Sequence, residues 1–368
     1  MRLIVVGAGI VGASCAYAAS GLGAEVVLVD AGLPGQATAA GAGIICPWSA
    51  RTDDPHWYAF ACAAAREYPD LVAGLAERGA GQVSYRQVGA ICLTDGAAAS
   101  AAASERLLAR RAVAPELGEV AVLDGGQARQ LFPPLRRDAC GVFIGGAARV
   151  DGRRLARALA RAAAGQGAAI RQGSAELAIR AGRAAGVRLD GELVEADAVV
   201  AATGAWTASF VAPAGLRVAV EPERGQIAHL RAEHADTGRW PVILPGGSGH
   251  YLLAFDDSRV VAGATREAGS GFDPRVTAGG VREVIEQALA VAPGLGTATH
   301  LETRVGLRPA GRDARPLLGP AAGLDGLVIA TGLGASGLTM GPRAGAIAAR
   351  AALGLEPGTD LAPFDPLR

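Results

Sequence analysis

Two groups of residues have types and spacings that suit chemistry. The first is Gly7, Gly9 and Gly12 in the stretch GAGIVG, with Ile10 and Val11 between them and Asp30 eighteen residues beyond Gly12. Glycines so spaced allow a tight turn at Gly7, backbone approach to a pyrophosphate at Gly9 and close helix–strand packing at Gly12, and an acid roughly twenty residues on can accept from ribose hydroxyls. The second is Arg308, in Gly306-Leu307-Arg308-Pro309. A guanidinium is costly to bury in apolar Gly/Pro surroundings unless an anion meets it, and a carboxylate does so bidentately. Read alone, Arg308 is equally a surface arginine or a salt-bridge partner. GxGxxG also arises by chance in an Ala/Gly-rich chain, and Asp30 could simply start a loop.

The surrounding elements favour the dinucleotide. Leu3 to Val6 reads as a buried strand, Ala13 to Ala19 as a helix of small residues, and Ala24 to Val29 as a second strand ending at Asp30 and Ala31. An acid in place of an arginine here disfavours a 2′-phosphate. Small residues then run from Ala37 and Thr38 through Gly41, Ala42 and Gly43 to Ile44. Such a backbone suits contact with a flat ring system; an Ala-rich helix start capped by Thr38 fits the same residues.

Composition removes other classes. With 35 basic and 35 acidic residues the formal charge is zero, so no broad field attracts nucleic acid or anionic lipid. All the basic residues are arginine, which excludes a Schiff-base lysine and a Walker lysine, and with them pyridoxal enzymes and P-loop NTPases. Cys15, Cys46, Cys62, Cys92 and Cys140 are odd in number with no CxxC pair, and the five histidines show no zinc spacing, so a reducing, cytoplasmic location and no metal are expected. Met1-Arg2 runs directly into a strand with no signal-peptide pattern, and the apolar runs break before membrane-spanning length.

Further motifs make the sequence resemble the D-amino acid oxidase and glycine oxidase family of FAD enzymes over nearly its whole length, with glycine oxidases closest in layout. They are Thr38 to Ile44; a helix over Trp57 to Leu75; Arg149-Val150-Asp151 and the helix and strand after it, leading to Ser174-Ala175-Glu176; Thr203-Gly204-Ala205-Trp206; the turn Arg224-Gly225-Gln226; the Arg308 motif with Asp313 and Pro316; and Gly332 to Pro342. The fold implied is α/β. It comprises a Rossmann-like, glutathione-reductase-like FAD-binding domain (1–82, 146–218, 303–368) and an inserted α+β substrate domain on a mixed or antiparallel sheet (83–145, 219–302). Val83 to Leu93 and His250 to Gly263 read independently as β-type segments, and Val281 to Ala290 as a helix.

The resemblance implies noncovalent FAD on the first glycines, Asp30, residues 37–44, Glu176, Thr203, Gly204, Trp206 and the turn Gly332, Gly334, Ala335, Ser336, Gly337, Leu338 and Thr339. It also implies that Arg308 takes the substrate carboxylate and Tyr251 lies over the substrate. Tyr251 is equally a core aromatic on a strand, with His250 on the opposite face. Leu333 stands where the family often has histidine. The reaction implied is hydride transfer from the α carbon of glycine or a small D-amino acid to flavin N5, giving a 2-oxo acid and ammonia. The alternative is a dehydrogenase or oxidase of a secondary or cyclic amine, an N-substituted glycine or a D-proline-like ring, that passes electrons to a non-oxygen acceptor. Sarcosine-oxidase relatives use lysines near the flavin and the carboxylate and attach the flavin to a cysteine after the arginine motif. This chain has no lysine, and no cysteine from Arg308 to Ala330, so the resemblance implies a noncovalent FAD and an unmethylated or cyclic amino acid over sarcosine. Oxygen or a quinone-type carrier would reoxidise the flavin, and a homo-oligomer is compatible.

Overall fold

A computed structural model describes all 368 residues. Its first strand, β1 (Arg2–Val6), and second, β2 (Glu25–Asp30), are joined by helix α1 (Ile10–Gly21). They lie at the centre of a six-stranded sheet ordered Leu317–Pro320, Leu327–Thr331, Ala198–Ala201, β1, β2, Ala169–Gln172. All neighbours are parallel except Leu317–Pro320, which runs antiparallel at the edge.

Alternation along β1 and β2 sends side chains to two cores. Leu3, Val5, Val26 and Leu28 pack with α1 and the helices Gly152–Gly165 and Gly337–Ala352. Ile4, Val6, Val27 and Val29 meet Leu177, Val187 and Val194 of an antiparallel three-stranded sheet on the other face. A parallel sheet covered on both sides explains the unbroken apolar runs.

An eight-stranded sheet forms the second layer. Its order is Thr299–Gly311, Val220–Arg231, Arg259–Gly263, Tyr251–Ala254, Val242–Leu244, Ala90–Thr94, Cys140–Ile144, Val120–Leu123. It is antiparallel but for one pair, Val242–Leu244 with Ala90–Thr94. Helix Ala278–Val291 covers one face through Val284 and Ala288, against Ala228, Leu230, Val260 and Ala262. A small sheet of Ile44–Ile45, Ala148–Arg149 and Arg86–Gln87 lies between the two large ones.

Several expected elements differ. The helix expected over Trp57 to Leu75 is two, Pro55–Arg66 and Tyr68–Glu77, because Pro69 supplies no N–H and suits only a first turn. The β-type segment at Val83 is shorter, Arg86–Gln87 and Ala90–Thr94, with Gly89 at φ +76° between them. Arg224-Gly225-Gln226 is not a turn but the middle of the twelve-residue strand Val220–Arg231. Thr38 is not an N-cap; Gln36 precedes the single helical turn Ala37–Ala40. Strand Thr299–Gly311 runs across the boundary expected at 302/303.

Candidate active site

The turn after β1 has the geometry its glycines require. Gly7 has φ +99°, and a Cβ on it would lie 2.4 Å from the Ala202 carbonyl oxygen. A Cβ on Gly12 would lie 1.7 Å from the Gly7 oxygen, so Gly12 serves the packing of α1 on the turn. No side chain of Gly9 caps α1; instead the Thr38 hydroxyl accepts from Ile10 N–H at 2.9 Å. The Asp30 carboxylate accepts from Ala8 N–H (2.6 Å), Gly32 N–H (2.7 Å) and the Gln36 amide (2.8 Å). A carboxylate has about four acceptor positions, so one remains for a hydroxyl.

Two later segments meet this turn. Strand Leu327–Thr331 leads through Gly332 (φ +73°) and Gly334 (φ +51°) into helix Gly337–Ala352. Its first turn is held by Tyr68, whose hydroxyl donates to the Leu338 carbonyl, and by Thr339, whose hydroxyl donates to the Ile44 carbonyl at 3.0 Å. Thr331 and Thr207 both donate to the Gly204 carbonyl at 2.8 Å, tying in the Thr203–Trp206 turn. Leu333 is buried at 4% exposure in the main apolar core.

These segments enclose one cavity of about 1180 Å³. Every residue assigned to the cofactor or the substrate from the sequence lines it except Gly12 and Gly332. Gly12 lies behind the turn, and Gly332 faces Leu317, which a Cβ would meet at 2.7 Å.

At the other end of the cavity stand Arg308 and Tyr251. Arg308 is cross-strand from Glu223 and donates through Nη1 to Glu223 Oε1 at 2.9 Å and to the Thr265 carbonyl at 3.1 Å. Arg266 Nη1 approaches the same oxygen at 3.4 Å. Arg308 is thus a salt-bridge partner that also faces a cavity. Gly225 makes room for it, since a Cβ there would lie 2.5 Å from the Arg308 guanidinium carbon; Gly263 does the same for the Tyr251 hydroxyl at 2.6 Å. Burial pushes the Tyr251 phenol up to about 12 against the pull of Arg308 and Arg266, so it is a neutral donor. The His250 ring turns instead to Glu283, 3.4 Å away on helix Ala278–Val291, as alternation predicts.

Glu223 and Arg266 are absent from the sequence reading, and Gly225 and Gly263 stand there only inside longer segments, with no role assigned. Strand pairing brings Glu223, Gly225 and Gly263 to Arg308 and Tyr251, and Arg266 arrives on the segment after strand Arg259–Gly263, next to the Arg224–Glu267 bridge. Arg51 and Arg106 were also missed; both line the cavity at an exposed position.

Comparison with known proteins assigns the family. Residues 2–351 match the DAO family of FAD dependent oxidoreductases. The chain belongs to that family. It is 45% identical to the oxidoreductase YurR of Bacillus subtilis (99% of this chain, 98% of the relative) and 30% identical to a glycine oxidase of Geobacillus kaustophilus (98% and 95%). It superposes on the crystal structure of iminodiacetate oxidase from Chelativorans sp. BNC1 with a TM-score of 0.96 and 47% identity, 99% of each chain being covered. This DAO-family chain is therefore an FAD-dependent oxidoreductase acting on CH–NH2 or CH–NH donors.

The cavity fits FAD. Its volume lies above the roughly 300–1,000 Å³ of small-ligand sites. The glycine turn leaves unpaired N–H groups at the start of α1, where phosphates bind. The lining residues Gly41 and Gly43 are places where a Cβ would meet Leu338 at 2.8 Å and the Val150 oxygen at 1.7 Å, so the wall there is bare backbone. No cluster of His, Cys, Asp or Glu could hold a metal, and no helix is long and apolar enough to cross a membrane.

Proposed function

We propose that the chain oxidises a carboxylated secondary amine of the N-substituted glycine class, with glycine and small D-amino acids as the second reading. One observation carries this: two guanidiniums, Arg308 and Arg266, converge on the single carboxylate of Glu223 at the cavity wall. Two positive charges against one leave an excess suited to a substrate carboxylate. The likeness to an iminodiacetate oxidase supports an N-substituted glycine over the simpler amino acids, and the 30% identity to a glycine oxidase keeps these as the second reading.

In this reading Arg308 holds the substrate carboxylate while Glu223 and the Thr265 carbonyl fix the orientation of the guanidinium. Tyr251, neutral at any working pH, donates to the same carboxylate and covers it from water. FAD, held by the Gly7 to Gly12 turn, Asp30 and residues 37–44, would supply a hydride acceptor for the substrate's α carbon, and hydrolysis of the resulting imine would give an oxo acid and the freed amine. The chain's own contribution is positioning, and the residues Leu333 to Thr339 line the cavity at the start of helix Gly337–Ala352, where a developing negative charge on the cofactor would be favoured. The test is product analysis after incubation with iminodiacetate, glycine, D-alanine and L-alanine. Glyoxylate and glycine from iminodiacetate support the reading. Turnover of D-alanine or glycine alone would move the assignment to the second reading, and turnover of L-alanine alone would overturn both. Hydrogen peroxide in air would identify oxygen as the acceptor; dye reduction without it would identify a carrier.

A further inference from the structure

A second group of cations stands at the opening of the same cavity. Arg51 follows the single turn Pro47–Ser49, and Arg106 lies on helix Ala97–Arg111. Both line the cavity and both are exposed. Arg110, one helical turn beyond Arg106 and on the same face, fixes their relation. Its guanidinium donates to the Trp48 carbonyl at 2.6 Å and the Ala50 carbonyl at 2.5 Å, and stacks over Tyr58 at 4.8 Å. Residue 51 is next in the chain, so the helix carries Arg106 to the segment that carries Arg51. Both charges act on the thiol of Cys92, which also lines the cavity.

Neither guanidinium has a counterion. No carboxylate lies within 4.0 Å of either, and neither donates a hydrogen bond within the protein. Of the acids near them in the chain, Asp54 pairs with Arg315 at 2.5 Å and accepts from His56 and Trp57 N–H, Glu116 pairs with Arg66 at 2.9 Å, and Asp53 and Glu105 pair with neither arginine. By contrast, Arg308 and Arg266 share Glu223, which leaves one net positive charge at that end for one carboxylate. Two like charges on segments clamped together, lining a ligand cavity with no carboxylate paired to either, form an anion site.

We propose that Arg51 and Arg106 bind a second carboxylate, carried on the substrate's amine substituent, and so select dicarboxylic secondary amines over zwitterionic amino acids. This rests on the reading that Arg308 holds the first carboxylate. Solvated arginines with no role are the alternative that the test must separate.

The probes are diglycolate, an ether with two carboxylates, and methoxyacetate, its one-carboxylate counterpart, each titrated into the yellow holoprotein and followed by the shift in flavin absorbance. The wild type should bind diglycolate more tightly, with the preference shrinking as ionic strength rises. The R51Q/R106Q double variant, with its flavin spectrum intact, should lose roughly tenfold in affinity for diglycolate and less than about threefold for methoxyacetate. Its KM for iminodiacetate should rise by a similar factor to the diglycolate Kd. Equal losses for both acids, or none, would overturn the proposal and leave Arg308 untouched. If neither acid perturbs the wild-type flavin, or if R308A binds both as well as the wild type, the Arg308 reading falls and the proposal with it.

Discussion

Arg308 sits at 15% exposure between Glu223, the Thr265 carbonyl and the cavity, a position where a charge needs every partner it has. Removing it leaves an incoming carboxylate without its fork and Glu223 with only the longer contact to Arg266. Truncating one member of such a pair costs about 2–5 kcal/mol. Arg308→Ala should therefore raise KM by roughly a hundredfold or more, with FAD still bound, since Arg308 stands apart from the phosphate turn. An unchanged KM in steady-state assays would remove it from the substrate site. Arg308 and the glycines were legible because each sits in a local motif whose neighbours carry the signal. Glu223 and Arg266 were not: Glu223 reaches Arg308 through the pairing of Val220–Arg231 with Thr299–Gly311 across some eighty residues of chain, and Arg266 reaches Glu223 from the segment that follows strand Arg259–Gly263. Gly225 stood inside a quoted motif, yet its reason, clearance for a guanidinium, is visible only in three dimensions.

At the scale of elements, the start of α1 decides whether the cofactor site forms. A methyl group on Gly12 would lie 1.7 Å from the Gly7 oxygen, a backbone atom that cannot step aside. Gly12→Ala should yield protein that loses FAD on purification or fails to accumulate; a stable, fully yellow variant would contradict the packing described. Thr38 tests the same turn more gently. Thr38→Val removes the hydroxyl that accepts from Ile10 N–H and should cost about 1 kcal/mol, read as several-fold weaker FAD binding by fluorescence titration. Equal FAD affinity would show that water replaces the hydroxyl. The elements around this turn were legible because period and glycine spacing agree there. The break between Pro55–Arg66 and Tyr68–Glu77 was announced by Pro69 and overridden by the resemblance to a single helix. The long strand Val220–Arg231 was obscured by Pro222 and Gly225 and by charges that are partly exposed or spent on partners, such as Glu223 with Arg308 and Arg224 with Glu267, and so break the apolar pattern of a strand.

The whole molecule depends on how the eight-stranded sheet seats against the rest, and His229 reports on that contact. It is buried on Val220–Arg231, with Nδ1 3.4 Å from Arg259, which in turn pairs with Asp151 at 3.0 Å at the start of helix Gly152–Gly165. Burial, aided by the charges of Arg304 and Arg259, pushes the imidazole down to about 3 although Glu302 pulls the other way. The folded ring therefore stays neutral where the unfolded chain takes up a proton near pH 6.5. The unfolded state binds more protons below that point, so this contribution is complete above pH 6.5 and is lost as the pH falls toward 3, by up to a few kcal/mol. Between pH 6.5 and 4 the wild-type Tm should drop more steeply than that of His229→Gln; parallel curves would show that the ring is protonated in the fold. The central claim concerns the reaction, and an anaerobic titration of the yellow protein tests it most directly. Flavin absorbance should bleach stoichiometrically on adding iminodiacetate and not on adding L-alanine. A flavin that stays oxidised with iminodiacetate, glycine and every D-amino acid added would contradict the account, and would mean that Arg308 serves a different anion.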